Sequence, residues 1–286
     1  MYTIIPVGPV SGSDAFLLTT STHAALFDTG FAFAAKAMLS SVASHLGGRP
    51  LQYILLTHSH YDHVSGSVAV KRRWPEAQVV ASAYAAKILA KESARDVIRT
   101  MNEHAAREHG VDDYEDLLAE LTVDRTVVEG DVVDMGDLQL RVLELPGHTR
   151  CSIGFYDEQA KLLLGCETLG VISGPELVMP CCLVDYDSTR QAIARVRSLA
   201  VDSLLVPHHG LLEGEECQRF LAAADFWLAE TRQRLQAAHG QGKSEEEMLQ
   251  LLKQQFYTDL TRRCQPEPAF DLNASYIIAQ MLKKDA

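Results

Sequence analysis

His58, His60, Asp62 and His63 stand within six residues in the pattern HxHxDH, spelled His58-Ser59-His60-Tyr61-Asp62-His63. Imidazole nitrogens and a carboxylate at this density are the side chains that bind first-row divalent cations. An apolar run, Tyr53-Ile54-Leu55-Leu56, leads directly into the cluster. That run reads as a buried strand, so the ligands leave from a strand exit, where rigid backbone can aim several of them at one point.

Three more candidates occupy the same kind of place. His148, in Pro146-Gly147-His148-Thr149, follows a strand predicted over residues 138–145; Glu167 follows one over 161–164; His209 follows one over 203–206. Ligands at four strand ends are expected to converge along one edge of a sheet. A catalytic centre with two ions needs about three protein ligands per ion and a shared bridging group, with positions left for water and substrate. The other histidines, His23, His45, His104, His109 and His239, fall in turns or on predicted helices without acidic or Cys partners at ligand spacing, and read as surface or satisfied polar residues.

The elements that must carry these residues follow from periodicity and punctuation. Strands are predicted over 2–7, 15–20 and 24–27, then an Ala-rich helix over 31–45 that stops at Gly47-Gly48. A strand over 51–56, a short helix over 64–74 and a strand over 78–81 come next. Residues 82–121 lose strand character and read as a helical insertion of two or three helices. The β pattern returns over 127–145, with Met135-Gly136-Asp137 as a turn, and continues over 152–156 and 161–164.

From Ser188 onward the chain reads as mostly helical, apart from the strand over 203–206. Ser244-x-x-Glu247 is a capping box before Met248, and Phe220, Trp227, Leu228 and Leu235 share a face of the preceding helix, closed by Gly240. With no internal repeat or flexible linker, the expectation is one domain over 1–286, with the insertion at 82–121 and a helical extension over 214–286.

Composition narrows the function classes. The chain has 286 residues and a formal charge of -12, from 38 acidic against 26 basic residues. That balance repels phosphate backbones, so a nucleic-acid substrate is disfavoured, although a bound cation could still hold one anionic group. No apolar run reaches the ~18 residues of a membrane span, and the N-terminus lacks a basic region followed by a long apolar stretch. The six cysteines show no CxxC pair, which fits a reducing compartment. A soluble cytoplasmic protein acting on a small molecule is expected, with no membrane and no nucleic acid; a homo-oligomer stays open.

HxHxDH, then Gly147-His148-Thr149, then an acidic residue, then a Pro-x-His-Gly resembles the metallo-β-lactamase superfamily, with matching motifs from Asp28 to Gly210. The resemblance implies an α/β fold, an αββα four-layer sandwich, with the helical insertion and helical C-terminal tail added. It implies that His58, His60 and His148 bind one ion, and Asp62, His63 and His209 a second. His208 is then an ordinary loop histidine. Asp28, in Phe27-Asp28-Thr29-Gly30, matches the family's Asp-Thr-Gly turn and would orient a ligating histidine from behind. The bridging position departs from the usual Gly-Asp, since this chain has Gly165-Cys166-Glu167-Thr168; Glu167 reaches one methylene farther, and Cys166 is the rival donor. The stretch Lys91-Glu92-Ser93-Ala94-Arg95 and the tail from Gly242 to Leu282 are similar to the quinolone-signal response thioesterases of pseudomonads.

Two divalent ions, zinc, iron or manganese, acting on one water would give a bridging hydroxide at neutral pH, with Asp62 orienting it toward a carbonyl. The motifs contain no strong general acid, which matters least for a thiolate leaving group with a reference pKa of ~8.5. A small acyl thioester or related ester is therefore the leading substrate class, as in thioesterases and glyoxalase II. Absence of a signal peptide, of basic surface and of a flavodoxin-like domain trims other branches of the superfamily. Two alternatives stay open: a mononuclear iron dioxygenase acting on persulfides, and a non-catalytic signal-binding protein of the same fold.

Overall fold

The computed structural model describes residues 1–283, and the chain divides into two compact units. The first comprises residues 1–143 and 155–160; the second comprises 144–154 and the chain from 161.

The first unit contains β1 (Thr3–Pro6), β2 (Phe16–Thr19), β3 (Ala24–Phe27), α1 (Ala35–Leu46), β4 (Tyr53–Leu55), α2 (Tyr61–Val64), α3 (Ser67–Arg73), β5 (Gln78–Ser82), α4 (Ala83–Leu89), α5 (Glu92–Glu108), β6 (Arg125–Val127), β7 (Val132–Asp134) and all but the last residue of β8 (Gln139–Glu144). Strands β1 to β6 form a sheet in chain order, antiparallel from β1 to β3 and parallel from β3 to β6. Leu26 is paired with Ile54, and Ile54 with Val79, all buried, as expected for parallel strands covered on both faces. Phe27 meets Phe155 edge to face with centroids 6.2 Å apart.

The parallel part of this sheet determines where the HxHxDH loop emerges. Strands β3 and β4 run side by side, so Asp28 and Thr57-His58 leave adjacent carboxyl ends, where ligands of open α/β sheets collect. Helix α1 ends at Gly47, whose φ of 57° lets its N–H return to the Ala43 carbonyl, so the anticipated stop at Gly47-Gly48 is present. The stretch over residues 82–121 holds α4, α5 and a one-turn 3-10 helix at Leu118–Glu120.

The second unit takes up the chain at the end of β8 and holds the start of β9 (Ile153–Asp157). Its further elements are β10 (Leu162–Leu164), β11 (Val171–Gly174), β12 (Leu177–Met179), α6 (Tyr186–Ser198), β13 (Ser203–Val206), β14 (Gly210–Glu213), α7 (Glu215–Gly240), α8 (Glu245–Phe256), α9 (Asp259–Cys264) and α10 (Glu267–Met281). In this unit β13 pairs with β14 antiparallel, and in the first unit β7 pairs with β8 antiparallel. Strands β10 and β13 are parallel, so Glu167 and His208 follow neighbouring strand ends.

Strand β14, which residues 210–213 did not announce, lies between His209 and the helical stretch that begins with α7. Its Leu211 and Leu212 pair with Leu205 and Leu204 of β13, a hairpin whose cross-strand pairing outweighs the local preference of four residues. The β11–β12 hairpin lies in a stretch whose residues announced no element. In the C-terminal helices the capping box is present: Ser244 Oγ accepts from Glu247 N at 3.2 Å and Glu247 Oε2 accepts from Ser244 N at 2.8 Å. Phe220, Leu228 and Leu235 are buried on α7, while half-buried Trp227 donates its indole N–H to the Glu176 carbonyl at 2.8 Å, fastening α7 to the β11–β12 turn. Among the described residues no helix is long and apolar enough to cross a membrane.

Candidate metal centre

In the first unit, the buried carboxylate of Asp28 organises the ligand loop. Its Oδ1 accepts from Thr57 N at 2.9 Å, and its Oδ2 accepts from Thr57 Oγ1 and His63 Nδ1, each at 2.8 Å. Asp28 reaches these donors by reversing the backbone directly after β3, with φ at 53°. A non-glycine residue in that region costs roughly 1–3 kcal/mol and persists where surrounding bonds compensate. Thr29 adds two bonds to the His63 carbonyl, from its N at 2.7 Å and its Oγ1 at 2.9 Å.

The same network assigns protons on the imidazoles. Thr57 gives its only hydroxyl proton to Asp28, so its oxygen accepts from His58 Nδ1 at 2.9 Å. A carboxylate can only accept, so His63 Nδ1 carries its proton toward Asp28. Both rings therefore present Nε2 as the lone-pair nitrogen, the state a cation requires. The His58 ring meets His60 edge-on with centroids 4.5 Å apart and His63 at a tilt with centroids 4.3 Å apart, and Asp62 Oδ2 lies 3.5 Å from His63 Nε2.

The second unit gathers the remaining donors around one carboxylate. Glu167, at 7% exposure, sets Oε2 at 2.8 Å from His148 Nε2 and Oε1 at 2.9 Å from His208 Nε2. His148 Nδ1 donates to the Cys181 carbonyl at 3.2 Å, so this ring too is held with Nε2 toward Glu167. The turn carrying His148 needs glycine beside it: Gly147 has φ of 141°, and a Cβ there would lie 2.2 Å from Thr189 Oγ1. Burial, reinforced by the charge of Glu167, pushes the Cys181 thiol well above its ordinary pKa, so it stays protonated.

Of the residues anticipated from sequence, His58, His60, Asp62, His63 and Asp28 come together in the first unit, and His148 and Glu167 in the second. His209 does not join them, and this corrects the reading of the His208-His209 pair. Val206 pairs with Gly210, so Pro207, His208 and His209 form a tight hairpin loop. His208 takes a left-handed φ of 59°, which turns its ring onto Glu167, while His209 is exposed. Cys166 is buried at the end of β10 as the residue before the 3-10 turn Glu167–Leu169, and no cluster of metal-type donors among the described residues includes it.

Asn102 on α5 is a positioning residue that the spacing of ligands did not reveal. Fully buried, it accepts from Ala32 N at 2.9 Å and donates to Ser65 Oγ at 2.6 Å, fastening the insertion to segments on both sides of the ligand loop. An Asn facing inward among Ile98, Ala105 and Ala106 was the available signal.

Buried imidazoles with Nε2 as acceptor, together with carboxylates, form a nitrogen and oxygen donor set that suits a divalent metal ion. The metallo-beta-lactamase superfamily model matches residues 8–215. Over 193 residues the chain is 25% identical to a hydroxyacylglutathione hydrolase of Chelativorans sp. (strain BNC1), a match covering 66% of this chain and 61% of that protein. Over 172 residues it is 33% identical to an acyl-coenzyme A thioesterase of Gallus gallus, covering 59% and 60% respectively. The chain thus spans about three fifths of the length of these curated relatives. A solved metallo-beta-lactamase family protein from Thermus thermophilus superposes with a TM-score of 0.65 at 17% identity, over 97% of this chain and 92% of that one, a likeness of fold. Since the matched stretch runs from before β2 to the start of α7 and includes every donor described above, the chain belongs to the metallo-beta-lactamase superfamily.

Proposed function

We propose that the protein is a metal-dependent hydrolase of small acyl thioesters or related esters that uses two divalent cations. His58, His60 and His148 would hold one ion, Asp62, His63 and His208 the other, and Glu167 would be shared. Zinc, iron or manganese bound there supplies Lewis acidity and ionises a water near neutral pH. The observation that carries this reading is Glu167 standing between His148 and His208, one oxygen on each. With its extra methylene Glu167 would still reach both ions, and a carboxylate shared in this way would favour two ions over the single iron of a dioxygenase.

The chain's own residues have separable tasks. Asp28 and Thr57 keep His58 and His63 in the acceptor tautomer, and the Cys181 carbonyl does the same for His148. Asp62 orients the attacking water by accepting its proton in a hydrogen bond. A thiolate leaves without a strong general acid, which is why thioesters lead the substrate class. The relatives named hydroxyacylglutathione hydrolase and acyl-coenzyme A thioesterase support a hydrolase of acyl groups. The charge of -12 argues for a small-molecule substrate over nucleic acid.

Metal analysis of the purified protein is expected to give close to two ions per chain. His60→Ala and Asp62→Ala are expected to abolish hydrolysis of a panel of thioesters and lactones. Undiminished hydrolysis by both variants would remove the reading.

A further inference from the structure

Tyr61 stands between His60 and Asp62 in sequence, yet its ring packs on Phe31, with centroids 5.6 Å apart. Phe31 in turn stacks on Phe33 at 5.0 Å, and Phe33 meets His109 at 5.3 Å and Tyr114 at 6.2 Å. Three separate segments, the β3–α1 connection, the ligand loop and the end of α5 with the residues after it, thus bring five rings together within the first unit. Phe31 is buried, whereas Phe33, Tyr61 and Tyr114 are half-buried, so the cluster keeps ring surface accessible beside the ligand loop.

Phe33 and Tyr61 pack against the buried Phe31, Ala34 and Ala105, and the ring surface they leave in water carries a cost that an apolar ligand group relieves. Its charge surroundings say which part of a thioester suits it. Asp112, Asp113, Glu115 and Asp116 flank Tyr114. Arg99 is engaged by Asp96 and Asp116. The Tyr114 phenol is pushed up by burial first, then by the negative charges of Asp116 and Glu103, which outweigh the opposing charges of Arg99 and Arg107. An anionic thiol carrier is repelled from such a wall, and an uncharged hydrocarbon group is not.

We propose that Phe33, Tyr61 and Tyr114 form the acyl subsite, taking the uncharged apolar acyl group of the substrate while an anionic carrier lies away from this wall. The assignment rests on the hydrolase reading above for its reaction, but not for its binding chemistry.

Two measurements separate the claims. Isothermal titration with N-ethyloctanamide, a neutral analogue that a thioesterase does not turn over, tests the wall directly. Phe33→Ala and Tyr114→Ala are each expected to weaken its binding by roughly tenfold, on the scale of lost aromatic contact. Phe33→Leu, which keeps apolar bulk, is expected to retain most of the affinity and controls for folding. Equal affinity in wild type and both alanine variants would overturn the subsite. In the kinetic arm, kcat/KM for octanoyl and acetyl thioesters of one carrier is compared. The alanine variants are expected to lose roughly tenfold on octanoyl with little change on acetyl. An equal loss on both substrates would overturn the subsite, because it marks a disturbed ligand loop. If wild type hydrolyses no thioester, the hydrolase reading fails, and the titration still decides the subsite.

Discussion

The Nδ1–H of His63 donates to Oδ2 of Asp28 across 2.8 Å of buried space, and this bond decides which nitrogen of His63 faces the candidate metal centre. Asparagine tolerates the left-handed backbone of position 28, so Asp28→Asn preserves the turn and removes the charge. Metal affinity, measured by competition with a chromogenic chelator, is expected to fall on the order of 10–100-fold. Unchanged affinity would show that Asp28 only shapes the turn.

The two neighbouring histidines of the β13–β14 loop are expected to behave oppositely. His208→Ala removes the ring on Glu167 Oε1 and should lower bound metal from two ions toward one, with loss of hydrolysis. His209→Ala, at an exposed position, should leave metal content and activity within about twofold, in line with ordinary surface substitutions. Metal analysis and steady-state kinetics on the pair check both, and the reverse pattern would reinstate His209.

Gly147 allows the His148 turn to pass Thr189. In Gly147→Ala the new Cβ would sit 2.2 Å from Thr189 Oγ1 and 2.8 Å from its Cα, at a φ of 141° that side chains avoid. Urea unfolding is expected to show a loss of about 1–3 kcal/mol, accompanied by weaker metal binding. Gly240→Ala, at the end of α7 with no atom within 4 Å of the added carbon, should be neutral or slightly stabilising.

Asp185 caps α6, accepting from Ser188 N at 2.7 Å, and hydrogen bonds from the Ser188 side chain and backbone hold its carboxyl below the usual range. A depressed folded-state pKa stabilises fully above the ordinary carboxylate value of ~3.9, and the contribution is lost as pH falls through the folded value. Asp185→Ala is therefore expected to cost about 1 kcal/mol at neutral pH. The gap from wild type should shrink below about pH 4. Urea midpoints of both proteins between pH 7 and pH 3 test the sign; a gap that widens in acid would refute it.

Much of the candidate centre was legible because its signals are local. HxHxDH, Gly147-His148, Glu167 and Asp28 each follow an apolar run short enough to read as a strand, and the Gly47 stop and the Ser244 capping box depend on residues within a few positions. Such features follow from backbone conformation and side-chain reach, which neighbouring residues largely determine.

Other features depended on partners distant in the chain. Spacing could not choose between adjacent His208 and His209, because the choice rests on the left-handed turn required when β14 folds back on β13. Strand β14 itself exists through pairing with β13, and pairing energy belongs to two segments together. Asn102 and the rings of Phe33, Tyr61 and Tyr114 carry no motif of their own. They acquired their roles when α5 brought distant parts of the first unit together, since hydrogen bonding and apolar contact act across space without regard to separation along the chain.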